Sequence, residues 1–208
     1  MGVAADERRA LSRLLTEAGP DEPTLCQGWL TRDLAAHLVV RESRPDAALG
    51  IVLPLLAGHT RRVQDAIAAQ PWPRLVERVR RGPAWYWPTA IGKLGELADT
   101  AEFLVHHEDV RRGRPGWEPR PADPTRDAAA WRAASTAAKL NLRRVPVGVT
   151  LRTPGGDAAV VRGGAEQVTV TGDPVELLLF VFGRDAVHVA FQGGPAAVGH
   201  LKAAGRGI

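Results

Sequence analysis

Apolar positions recur at a helical spacing through the first two thirds of the chain, and an alternating pattern appears only after Pro146. The first predicted helix covers 4–18 and stops at Gly19-Pro20. A second runs from Thr31 to about Ser43. Thr31 is its expected cap, and Asp33 sits in the first turn, where the helix dipole favours an acid. Residues 46–70 form a third helical region, kinked near Pro54, and 73–81 a shorter helix. The stretch from Gly82 to Pro88 is a loop holding Trp85, Tyr86 and Trp87. The longest helix, 90–112, ends at Gly113 and Pro115; 113–124 is loop, and Asp123-Pro124 opens another helix to about Leu142.

Beyond Pro146, the segments 147–153 and 158–162 read as strands joined across Pro154-Gly155-Gly156-Asp157, a hairpin signal. Strands follow at 167–171 and 187–191. Between them Asp173-Pro174-Val175-Glu176 marks a helix start with a cap and a closing carboxylate; Pro195 begins a last helix to Ala204. The fold class is α+β. A helical bundle spans 1–143, and a small α+β domain spans 144–208.

Composition changes this picture little. The 208 residues are 45% hydrophobic and 24% charged, ordinary for a folded protein with a real core. The pI near 10.0 invites a nucleic-acid reading. A net charge of +4, with arginines scattered along the chain, argues against it. Lysine occurs only at Lys93, Lys139 and Lys202, which fits the codon bias of a GC-rich genome. The single cysteine, Cys26, excludes an intrachain disulfide and points to a reducing compartment. No signal peptide is read at the N-terminus. The apolar run 46–57 is broken by Pro54 and too short to span a bilayer, so a cytoplasmic protein is expected, with no membrane partner.

Candidate chemistry lies on two helices. Glu102 and His106 are four residues apart, which puts both on one face of helix 90–112, beside Ala98, Ala101 and Val105. An inward carboxylate needs a compensating charge, and a metal ion supplies one. His37 is a polar residue in the apolar stripe from Leu34 to Val40. Two histidines and a carboxylate with an open position match catalytic zinc sites and also the non-haem iron triad. The bland alternatives are a core histidine at position 37 and a helix-face ion pair at 102 and 106. Asp109 falls on a similar face and either orients a ligating ring or is a surface charge. His107 and Glu108 read as flanking or solvated.

The string from Leu25 to Leu38, LCQGWLTRDLAAHL, resembles the signature of DinB-like metal-binding proteins, and more closely that of the mycothiol-dependent maleylpyruvate isomerase family. The later Glu102–His106 pair fits the same pattern. The resemblance implies an up-and-down four-helix bundle holding one divalent ion, commonly zinc, through His37, Glu102 and His106. It also implies mycothiol as cosubstrate and a C-terminal α+β module. The metal would deprotonate the thiol, and the thiolate would attack a small electrophile. In an isomerase it adds, allows rotation and leaves; in a transferase it stays attached. The chain is shorter than the isomerase pattern, so the resemblance is better to a compact metal-binding subgroup, and maleylpyruvate itself is not the expected substrate.

Other residues are assigned by location. Arg152, Arg162 and Arg184 are candidates to hold an anionic substrate. Cys26 is a reactive thiol or a small buried hydrophobe. Trp29 packs the helix entry, and the aromatics at 85–87 cover the bundle end or line a pocket mouth. His59, His188 and His200 have no partner at a recognisable spacing, and neither Gly-Gly pair fits a phosphate loop. Two functions follow. One is a mycothiol-dependent thiol transferase or isomerase acting on a small electrophile, with homodimerisation left open. The other is a non-catalytic metal-binding or stress-response module.

Overall fold

A computed structural model of the protein describes residues 2–83 and 93–206; the aromatic loop residues Trp85, Tyr86 and Trp87 lie outside them. The chain divides into two compact units, Met1–Pro119 and Arg120–Ile208.

The first unit is helical: α1 (Val3–Ala18), α2 (Thr31–Ser43), α3 (Pro45–Val52), a 3-10 turn (Pro54–Leu56), α4 (Ala57–Ala68), α5 (Trp72–Arg81) and α6 (Lys93–Arg111). The expected third helical region is three pieces. Pro54 lacks the N–H a continuous helix needs, so the chain tightens into the 3-10 turn there. Helix α1 packs on α5 and α6, and α2 packs on α4 and α5. Their shared core holds Leu11, Leu15, Leu34, Leu38, Leu75, Val79 and Phe103. Each such side chain contributes about 1.5–3 kcal/mol through burial.

The entry to α2 differs from expectation in detail. Thr31 is not the cap. Its hydroxyl donates to the Gly19 carbonyl, while the Asp33 carboxylate accepts the Leu30 N–H at 2.9 Å. The cap function therefore falls to Asp33, reaching back one turn.

The second unit is α+β. Helix α7 (Pro124–Asn141) is capped by Asp123, whose carboxylate accepts from the Thr125 and Arg126 N–H groups at 2.9 and 3.0 Å. Strands β1 (Gly148–Arg152), β2 (Ala158–Arg162), β3 (Gln167–Gly172) and β4 (Val189–Gln192) form one sheet in the order β2-β1-β3-β4. The β1–β2 pair is the expected antiparallel hairpin; β1 and β3 run parallel, and β3 and β4 antiparallel. Helices α8 (Pro174–Val181) and α9 (Pro195–Ala203) complete the unit. At the start of α8, Asp173 makes no side-chain cap bond, and Glu176 is buried where its carboxylate accepts the His188 N–H at 2.7 Å. The expected capping box is thus replaced by a tie to the approach of β4.

Helix α7 separates the expected boundary after residue 143 from the observed division. Its buried face is Ala129, Ala130, Ala133, Ala134 and Ala138, small enough for α8 to approach closely, and α7 packs on α8 and β2. No helix among the described residues is long and apolar enough to cross a membrane.

Candidate metal centre

Two polar stripes meet inside the first unit. On α2, His37 and Arg41 are one turn apart in an otherwise apolar run. On α6, Asp99, Glu102, His106 and Asp109 follow at steps of three and four, the spacing that keeps side chains on one face.

The three residues singled out from sequence converge. Glu102 Oε1 lies 3.0 Å from His37 Nε2 and 3.2 Å from His106 Nε2, and the two imidazole rings are 5.3 Å apart. One ligand atom from each lies within 4.8 Å of those of the other two. The side chains are 11%, 18% and 9% exposed for His37, Glu102 and His106, so the cluster is shielded yet reachable.

Further residues hold it. Asp109 is fully buried, not a surface charge, and its Oδ2 accepts the His106 Nδ1 hydrogen at 2.8 Å. That bond occupies Nδ1, so Nε2, the nitrogen turned to Glu102, is the one that would present a lone pair once the ring gives up its second proton. The Cys26 thiol donates to the same carboxylate oxygen at 3.2 Å, with Sγ 3.9 Å from His106 Nδ1. Cys26 is partly buried and packs against the core beside Trp29. Two backbone features bring its loop to α6. Gly28 adopts φ +77°, and Gly113 lets the Pro23 carbonyl approach so closely that a Cβ would lie 2.0 Å from it. The Leu25 N–H then bonds to the Asp109 carbonyl at 3.0 Å. Trp29 does more than pack the helix entry: its ring lies 5.1 Å from that of His37.

The electrostatics are those of a coupled pair. Burial alone raises the Glu102 pKa, but the His106 charge and hydrogen bonds from both histidines outweigh it and hold the carboxyl well below its usual range. Burial likewise pulls His106 down, and Glu102 together with the Asp109 bond carries it well above an ordinary imidazole. A cation entering the cluster would take the place of that proton.

The neighbours of His106 differ from expectation. His107 is buried, its Nδ1 2.7 Å from Glu7 of α1. Glu108 is fully buried and accepts from Arg111 at 2.9 Å and Arg112 at 2.7 Å. Neither is solvated, because α6 is enclosed on more than one side. Arg41 was not singled out by its spacing, yet its Nε lies 3.5 Å from Glu102 Oε2. Outside the centre, His59 pairs with Asp46 at 3.1 Å. Arg162 and Arg184 each donate to a backbone carbonyl, of Arg143 and Phe182, while Arg152 is exposed at the end of β1.

No family model and no curated protein matches the sequence. Among solved structures, the crystal structure of the mycothiol-dependent maleylpyruvate isomerase superposes with a TM-score of 0.58 at 14% identity, covering 91% of this chain and 90% of that one. The two chains share a fold.

The donor set fits a divalent ion. Two imidazoles and one carboxylate are a borderline-hard combination suited to zinc or iron. Both imidazoles offer Nε2 toward one carboxylate oxygen, and at His106 the other ring nitrogen is already bonded. A second group, Cys26, His106 and Asp109, also lies within 4.8 Å, and like the first it converges on one carboxylate oxygen, here Asp109 Oδ2.

Proposed function

We propose that this protein binds one divalent metal ion, zinc by preference, through His37, Glu102 and His106, and uses it with mycothiol to act as a thiol transferase or isomerase on a small electrophile. The observation that carries the reading is the meeting of three ligating atoms from α2 and α6 around Glu102 Oε1. The shared fold with a mycothiol-dependent isomerase supports the choice of thiol. The DinB-like up-and-down reading of the N-terminal bundle belongs to the same proposal.

When bound, the ion would lower the pKa of a coordinated thiol, normally about 8.5, so that the sulfur reacts as thiolate near neutral pH. The chain's own residues prepare that chemistry. Asp109 fixes the tautomer of His106, and Cys26 shares the oxygen that does so. Trp29 lies against the His37 ring and restricts its rotation. With three protein ligands, a fourth position stays open to an incoming sulfur, the arrangement of catalytic rather than structural zinc sites.

The test is thermal unfolding of the metal-loaded protein with chelator, and with mycothiol. Chelator lowers the melting temperature, and mycothiol raises that of the loaded protein only. A shift with chelator but none with mycothiol favours the non-catalytic metal-binding module; no shift with either removes the metal.

A further inference from the structure

The two oxygens of Glu102 meet different partners. Oε1 faces both imidazoles, 3.0 Å from His37 and 3.2 Å from His106. Oε2 faces the guanidinium of Arg41, 3.5 Å from its Nε. Arg41 is anchored in turn, its Nη1 donating to Asp99 Oδ1 at 2.8 Å. Arg41 follows His37 by one turn of α2, and Asp99 precedes Glu102 by one turn of α6, so the helical repeat aligns the groups without any loop. The Arg41 and Asp99 side chains are 22% and 24% exposed, which places the pair at the rim of the centre, where water screens it incompletely.

A carboxylate can hold a cation through one oxygen or through both. Ligation through both fills a second coordination position, the one an incoming ligand needs. A permanent positive charge beside Oε2 opposes that second bond, because a cation drawn to that oxygen would approach the guanidinium.

We propose that Arg41 is a positioning residue that restricts Glu102 to ligation through Oε1 and thereby keeps a coordination position available to an exogenous thiol sulfur. The inference rests on the metal-centre reading above and adds to it the device that keeps the centre open. Asp99 belongs to the device, since it fixes the guanidinium against α6. Lysine at position 41 would supply the charge without the planar fork, and so restore the restriction only in part.

Cobalt(II) uptake by the full chain tests this, with 2-mercaptoethanol as the thiol probe. The d–d absorption of cobalt weakens as its coordination number rises, and a bound thiolate adds a sulfur-to-cobalt charge-transfer band. The wild type is expected to take up cobalt and to show that band on thiol addition. Arg41→Met keeps its cobalt but gives weaker d–d absorption, and its thiol half-saturation rises by about tenfold or more. Asp99→Asn shifts both in the same direction by less, and Arg41→Lys falls between wild type and Arg41→Met. A merely structural role would lower the melting temperature and leave the spectrum alone. Should Arg41→Met fail to fold, Asp99→Asn carries the test. Folded variants with the wild-type spectrum and half-saturation overturn the role of Arg41 alone; a wild type that takes up no cobalt overturns the metal centre, and this inference with it.

Discussion

Asp109 shows how one buried acid can decide what a neighbouring ring does. It has no exposure, and its Oδ2 receives both the His106 Nδ1 hydrogen and the Cys26 thiol. If its task is to orient His106, Asp109→Asn leaves the chain folded and weakens metal binding by about 10–100-fold, as titration against a chelating dye would register. Unchanged affinity would reduce Asp109 to packing. Cys26→Ser keeps a donor for that oxygen, so its metal stoichiometry should match the wild type; loss of the ion would instead make the sulfur a ligand. The closeness of His37, Glu102 and His106 was foreshadowed by polar residues in apolar helical stripes, a spacing that is unspecific by itself, together with the resemblance carried by residues 25–38. Nothing in the sequence made Arg41 readable. Only the meeting of side chains from α2 and α6 shows which arginine of many faces the carboxylate.

Among the elements, α6 bears the most. One face carries the Asp99–Asp109 stripe, another sends His107 to Glu7 on α1, and Phe103 lies beneath the Arg8 guanidinium at 4.1 Å. Glu108 sits fully buried among Arg111 and Arg112. Removing the acid takes the carboxylate away from the buried Arg112 guanidinium, so Glu108→Ala should destabilise the chain by about 3–5 kcal/mol in urea unfolding. A loss of only a few tenths of a kcal/mol would mean that water reaches the pair after all. This burial was hidden in the sequence: two consecutive ionisable residues, His107 and Glu108, read as a wet face until α6 is seen enclosed. Element positions were far more legible. Gly and Pro punctuation located the hairpin at 154–157 and the break at Pro54, and Asp123 caps α7 at the expected start, while at α2 the cap bond falls to Asp33 because the Thr31 hydroxyl is drawn to the Gly19 carbonyl.

At the scale of the molecule, every residue of the proposed centre belongs to the unit Met1–Pro119, and none to Arg120–Ile208. The α+β class was visible from the change of period after Pro146. The allegiance of α7 was not, since a run of alanines packs equally well on a bundle or beside a sheet. In the second unit the core depends on side chains such as Leu151 and Val170 on adjacent strands. Leu151→Ala should cost about 2–5 kcal/mol in urea unfolding while leaving metal content untouched, a direct check that the two properties reside in different units. Coupled loss of both would contradict it.

The metal centre is tested most directly by the metal content of the purified chain, determined by elemental analysis of the wild type beside a triple His37→Ala, Glu102→Ala, His106→Ala variant. One equivalent of a divalent ion per wild-type chain, and background levels in the variant, is the expected result. Equal ion content in the two, or none in the wild type after zinc loading and desalting, would contradict it.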